Sequence, residues 1–156
     1  MKGYSQSEED YLETLYILQL EDRVARVKDV AQALDVTAPS VVAAIRSLSE
    51  KGLVEQEKYG HIELTPKGER VGRDVYKRHQ LLFAFLNEVL GLDPQVAEKD
   101  ACQLEHYLSP QTRERILRIV EYTRACRGDG VNFLKRFMQF VHTGQLPDSC
   151  PGCPKS

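Results

Sequence analysis

Apolar residues recur along most of this chain at intervals of three and four, the spacing of helices with one buried face. Tyr11, Leu12, Leu15, Tyr16 and Leu18 predict a helix from Ser7 to Glu21, and Ser5 and Ser7 both suit its N-cap. Val27, Val30, Ala31 and Leu34 share one face of a short second helix over residues 27–34, which a tight break at Asp35-Val36 closes. A third helix opens at Thr37 or Ala38 and runs to about Lys51, with Val41, Val42, Ile45 and Leu48 expected to face inward. Pro39 suits its first turn, where a missing N–H costs nothing, and Gly52 ends it.

The period then changes. Residues 53–59 and 61–65 read as two strands turning near Gly60. Thr65-Pro66 launches a long helix to about Leu90, closed by Gly91. Asp93-Pro94 caps a helix to about Leu108, Ser109-Pro110 caps another to about Cys126, and a last amphipathic helix is expected over Val131–His142. Residues 145–156 carry three prolines and a glycine and read as irregular. The fold class is therefore mainly α with a small β-hairpin.

Two short helices joined by a tight turn and followed by a hairpin describe a winged helix-turn-helix. Its second helix presents Thr37, Pro39 and Ser40 at the end that would enter a major groove of double-stranded DNA. These short side chains suit phosphate hydrogen bonds and thymine-methyl contacts better than bidentate reading of guanine. Arg26, Arg46, Lys51 and Lys58 are candidate phosphate contacts. A helix-turn-helix can also serve protein contacts alone, but the hairpin that follows favours DNA.

Charge modifies this picture only a little. The 156 residues carry 21 Lys+Arg and 23 Asp+Glu, a formal net of -2, which excludes a uniformly basic nucleic-acid binder. Residues 1–22 hold one Lys against six acids, residues 23–78 eleven basic residues against eight acids, and residues 79–156 nine of each. A basic middle beside an acidic start permits DNA binding by one face. No apolar run reaches the ~20 residues of a membrane span and the start has no signal-peptide pattern, so a cytoplasmic protein is expected.

Candidate metal ligands form a second signal. Asp10 and Glu13 lie at i, i+3 on the first helix, and His79 falls within the long helix. Cys102, Glu105 and His106 lie at i, i+3, i+4 on one predicted helix and form a single stripe of thiolate, carboxylate and imidazole. Each residue has a plain alternative: a solvated acidic face, a surface histidine, a small core thiol. Three ligand types on one face are harder to dismiss, and they suit a first-row divalent ion.

With its winged helix, its long linking helix, Asp10/Glu13, His79 and Cys102-Gln-Leu-Glu105-His106, the chain resembles the diphtheria toxin repressor and manganese transport regulator family over roughly residues 5–125. The resemblance implies a homodimeric, metal-activated repressor that binds a palindromic operator. It divides the chain into a DNA-binding domain (1–74), a helical dimerisation and metal-binding domain (75–144) and a cysteine-containing tail (145–156). It also implies that Asp10, Glu13, His79, Cys102, Glu105 and His106 are the ligands, the first helix bringing its acids to those of the second domain.

The ligand set mixes two branches of that family. Cysteine at 102 matches the iron branch, whereas Asp10 matches the manganese branch. Phe83 and Glu98 replace ancillary ligands of the iron branch, and that branch's SH3-like domain is expected to be absent. A thiolate is softer than a carboxylate, so Fe²⁺ is expected ahead of Mn²⁺, with Zn²⁺, Co²⁺ and Ni²⁺ as surrogates in vitro. Cys150-Pro-Gly-Cys153 supplies two further thiols with no closed site of their own. A di-iron enzyme would need two Glu-x-x-His copies, which the sequence lacks, and the chain is not expected to be an enzyme. A winged-helix regulator responding to a small molecule is the alternative.

Overall fold

The structure is a computed structural model that describes residues 3–56, 60–125 and 129–145; Lys58, Cys126, Cys150 and Cys153 lie outside the described residues. The chain divides into two compact units between His79 and Gln80. Among the described residues no helix is long and apolar enough to cross a membrane.

In the first unit, α1 spans Gln6–Leu20. Ser5 caps it in a reciprocal box: the Glu8 N–H donates to Ser5 Oγ at 3.3 Å, and the Ser5 N–H donates to Glu8 Oε2 at 3.0 Å. Helix α2 (Val27–Leu34) and helix α3 (Ala38–Glu50) flank a turn in which Asp35 adopts a left-handed conformation, φ 51°. Thr37 caps α3 and Pro39 occupies its first turn, as the sequence predicts.

The predicted hairpin is present as β2 (Val54–Gln56) and β3 (His61–Leu64), but it belongs to a larger sheet. A two-residue strand, β1 (Ala25–Arg26), pairs antiparallel with β3, giving the order β1-β3-β2 with Ala25 opposite Ile62 and Arg26 opposite His61. Two residues give no period, so this strand was not visible in the sequence; burial of Ala25 against the core holds it. Leu12, Leu15, Leu18, Val30, Val41, Ile45, Leu48, Leu53 and Ile62 build one apolar core. Val42 does not join it. The sequence predicts it inward, yet it is 55% exposed, because Val41, Ile45 and Leu48 already fill the inward stripe of α3.

Helix α4 (Pro66–Ala84) lies against α1 at very short range. A Cβ on Gly72 would stand 2.4 Å from the Leu12 carbonyl oxygen, so the close approach requires glycine. Replacing Gly72 with alanine is expected to cost about 1–3 kcal/mol in spite of alanine's better helix propensity, because backbone must shift. Thermal unfolding followed by circular dichroism checks this, and an unchanged melting temperature would contradict it.

The predicted long helix does reach Leu90, with Gly91 in the left-handed region after it, but its last segment changes type. Residues Phe85–Val89 form a π-helical turn, closed by the Leu90 N–H donating to the Phe85 carbonyl at 3.0 Å. Helices α5 (Pro94–Leu104), α6 (Pro110–Ala125) and α7 (Asp129–Thr143) follow. Leu82, Leu86, Ala97 and Ala101 form one buried cluster, with Phe83 packed against it, and Ala84, Val89 and Val120 form another.

Arg124 of α6 donates to both carboxylate oxygens of Glu88 in the π-helical turn, at 2.9 and 2.6 Å. These hydrogen bonds hold the Glu88 carboxyl below its ordinary range against the opposing effect of burial. A depressed folded-state value means the pair stabilises above the ordinary carboxylate pKa and loses that contribution as pH falls through the lowered one. Both side chains are substantially exposed, so Glu88→Gln should cost no more than ~1 kcal/mol at neutral pH. Denaturant titrations of the two proteins should converge in acid, and a difference that persists there would refute the assignment.

Candidate metal and DNA-binding residues

Helices α1 and α4 meet through a short series of contacts that fixes what each presents. Arg78 donates to Glu9 Oε1 at 2.8 Å, the Tyr16 and Tyr76 rings lie 5.8 Å apart at 58°, and the Leu12 carbonyl approaches Gly72. That register brings Glu13 and His79 together, each offering a ligand atom within 4.8 Å of the other. Both are buried, at 8% and 7% exposure. Asp10 lies one turn before Glu13 on α1 and is half-buried.

In the second unit the predicted stripe is broken. Helix α5 ends at Leu104 rather than near Leu108, and Glu105 and His106 sit in the turn that follows. Glu105 is the C-cap residue, its N–H donating to the Ala101 carbonyl at 3.1 Å, and it is fully buried. His106 Nε2 lies 3.2 Å from Glu105 Oε1, and its side chain is 3% exposed. Cys102, still on the helix, is exposed, as is Glu98 one turn earlier. Glu105 keeps helical backbone and continues the buried stripe of Ala97 and Ala101, whereas Cys102 lies with Glu98 on the exposed side.

Among the described residues the buried polar or charged ones are Glu13, His79 and Glu105, and all three belong to the ligand set read from the sequence. Burying carboxylates is costly unless positive charge or hydrogen bonds compensate. Buried carboxylate oxygens beside imidazole nitrogens are a donor set that fits a divalent first-row cation.

The described DNA-side candidates are all at the surface. Thr37, Pro39, Ser40, Arg46 and Lys51 are exposed, and Arg26 is exposed on β1. The Thr37 and Ser40 hydroxyls lie 2.8 Å apart within the cap of α3. Arg46 Nε donates to Glu50 Oε1 at 3.3 Å, and Lys51 pairs with Glu8 of α1. Val42 and Ala43 of α3 are exposed as well, sharing with residues 39 and 46 a helical stripe opposite 41, 45 and 48.

Two family models match this chain. Residues 4–62 match the iron dependent repressor N-terminal DNA binding domain, and residues 65–140 match the iron dependent repressor metal binding and dimerisation domain. The chain belongs to the iron-dependent repressor family. Among individual relatives, it is 38% identical to the HTH-type transcriptional regulator MntR of Lysinibacillus sphaericus over 74% of this chain and 82% of that protein. It is 39% identical to the MntR of Geobacillus kaustophilus over 74% and 82%.

A manganese-dependent transcriptional repressor solved in complex with manganese resembles the fold with a TM-score of 0.68 at 30% identity, and the manganese regulator SloR with 0.66 at 30%. Each match covers 74% of this chain but only about half of the solved one, 53% and 54%. The chain is therefore a metal-dependent transcriptional repressor of a non-enzymatic family, as the resemblance implied. The expectation of Fe²⁺ ahead of Mn²⁺ is not supported, since the named neighbours are manganese regulators.

Proposed function

We propose that this chain is a cytoplasmic, Mn²⁺-activated repressor that binds a palindromic operator as a homodimer, with Fe²⁺ as the alternative effector. The observation that carries the metal reading is the burial of Glu13, His79 and Glu105 among otherwise apolar cores. The proposed ligands are Asp10, Glu13, His79, Glu105 and His106. Cys102 is left outside this set because it is exposed, and the preference for Fe²⁺ rested on its thiolate. An oxygen- and nitrogen-only set removes that preference and suits Mn²⁺.

The bound cation supplies positive charge that compensates the clustered carboxylates. Glu13 and Asp10 hold α1 at the metal-bound position, and α1 packs on α2 and α3. Thr37, Pro39, Ser40, Arg46, Lys51, Lys58 and Arg26 are the proposed contacts to DNA. A preference of only ~1–3 kcal/mol for the DNA-competent arrangement gives a 5–150-fold gain in operator affinity. The two-fold dimer sets half-sites about one helical turn apart.

Anisotropy of a labelled duplex from the chain's own upstream region tests this, measured anaerobically at one salt concentration with chelator, Mn²⁺ or Fe²⁺. Mn²⁺ should raise affinity by 5–150-fold over chelator. Glu13→Ala combined with His106→Ala should abolish that gain and leave binding at the chelator level. Equal binding with chelator and metal would overturn the metal reading and favour a regulator of small-molecule type.

A further inference from the structure

Helix α4 carries exposed cations that no ion pair among the described residues neutralises. Lys67, Arg70 and Lys77 are exposed, and helical geometry places them within an arc of about 80° on one side of the helix. The other arginines of α4 are occupied: Arg73 donates to Glu69 at 3.2 Å and Arg78 to Glu9 at 2.8 Å. Arg70 and Lys77, two turns apart, make no hydrogen bond or ion pair among the described residues. Asp74, also exposed, is the acid among them. The stripe starts beside the proposed DNA face. Lys67 Nζ donates to the Lys51 carbonyl at the end of α3, at 3.0 Å, and the Thr65 hydroxyl donates to the Gly52 carbonyl at 2.8 Å. These bonds tie the first turn of α4 to the end of α3, next to Lys51, itself a proposed phosphate contact.

No large apolar side chain of α4 is exposed, so this surface offers a protein partner nothing to bury. It suits a phosphate backbone instead, where a cation that meets a phosphate releases a condensed counterion. Arg46 and Lys51 must leave a carboxylate to make such a contact, whereas Arg70 and Lys77 give up no partner. We infer that Arg70 and Lys77, approached through Lys67, form a phosphate-contacting stripe that carries the DNA interface from the end of α3 along α4. This rests on the DNA-binding reading above and adds a surface to it: the backbone of the duplex beside the half-site, held without regard to base sequence. Asp74 repels the same backbone and limits the attraction.

The test follows anisotropy of the full chain with Mn²⁺ on the labelled upstream duplex and on an unrelated duplex, at several salt concentrations. Arg70→Gln and Lys77→Gln should each lower the steepness of log affinity against log salt by about 0.9, and the double variant by about twice that. The loss should be alike on both duplexes, because phosphates carry no sequence. Both side chains are exposed, so the substitutions leave the core of the winged unit in place. Asp74→Asn should strengthen binding to both duplexes, a gain that damage to the fold cannot produce. An unchanged salt slope in the double variant, a loss confined to the upstream duplex, or weaker binding by Asp74→Asn would overturn the inference and leave the repressor reading standing. Wild-type protein that binds the upstream duplex no better with Mn²⁺ than with chelator would overturn the metal-activated reading itself.

Discussion

The close approach of α1 to α4 is the constraint on which the first unit depends. It is possible because Gly72 offers no Cβ to the Leu12 carbonyl. The Glu9–Arg78 ion pair and the Tyr16–Tyr76 contact help hold the two helices in register. In that register Glu13 and His79 are neighbours; a slip of one residue along either helix would rotate one of them away by about 100°. The same α1 gives Leu12, Leu15 and Leu18 to the core that seats α2 and α3. One helix therefore carries proposed metal ligands on one side and supports α3, the proposed DNA-contacting helix, on the other, and both depend on a single packing geometry.

Most of the first unit was legible because its elements announce themselves locally. Ser5 with Glu8, Thr37 with Pro39, and Thr65 with Pro66 mark helix starts through side-chain caps, and the boundaries follow from them. What escaped was set by tertiary contact. Strand β1 is two residues long and exists because Ala25 finds Ile62. Val42 lost its inward place because three other apolar residues already filled that stripe of α3. Periodicity says which positions share a face, but not how wide the buried face will be.

The ligand set shows the same division. Residue types and spacing were enough to single out Glu13, His79 and Glu105, and burial of those three in place of other polar residues is what a site, not a solvated face, requires. The spacing alone did not reveal which of Cys102, Glu105 and His106 faces the core. Glu105 continues the buried stripe of Ala97 and Ala101, while Cys102 lies with Glu98 at the surface. That division bears on whether sulfur is among the proposed donors, and with it on the softness on which metal choice rests.

The charges of the winged unit explain why modest coupling can suffice. Residues 23–78 hold only three more basic than acidic side chains. Two candidate phosphate contacts, Arg46 and Lys51, are already paired with Glu50 and Glu8. Each must exchange a carboxylate for a phosphate on binding, so the net electrostatic gain per contact is small, and so is the counterion release that drives non-specific affinity. A unit with weak non-specific attraction rests near the threshold of binding, where ~1–3 kcal/mol from an effector separates bound from free. A strongly basic unit would remain on DNA in either state, and the metal would have nothing to decide. The acids paired with these cations are thus what leaves room for DNA binding to be regulated.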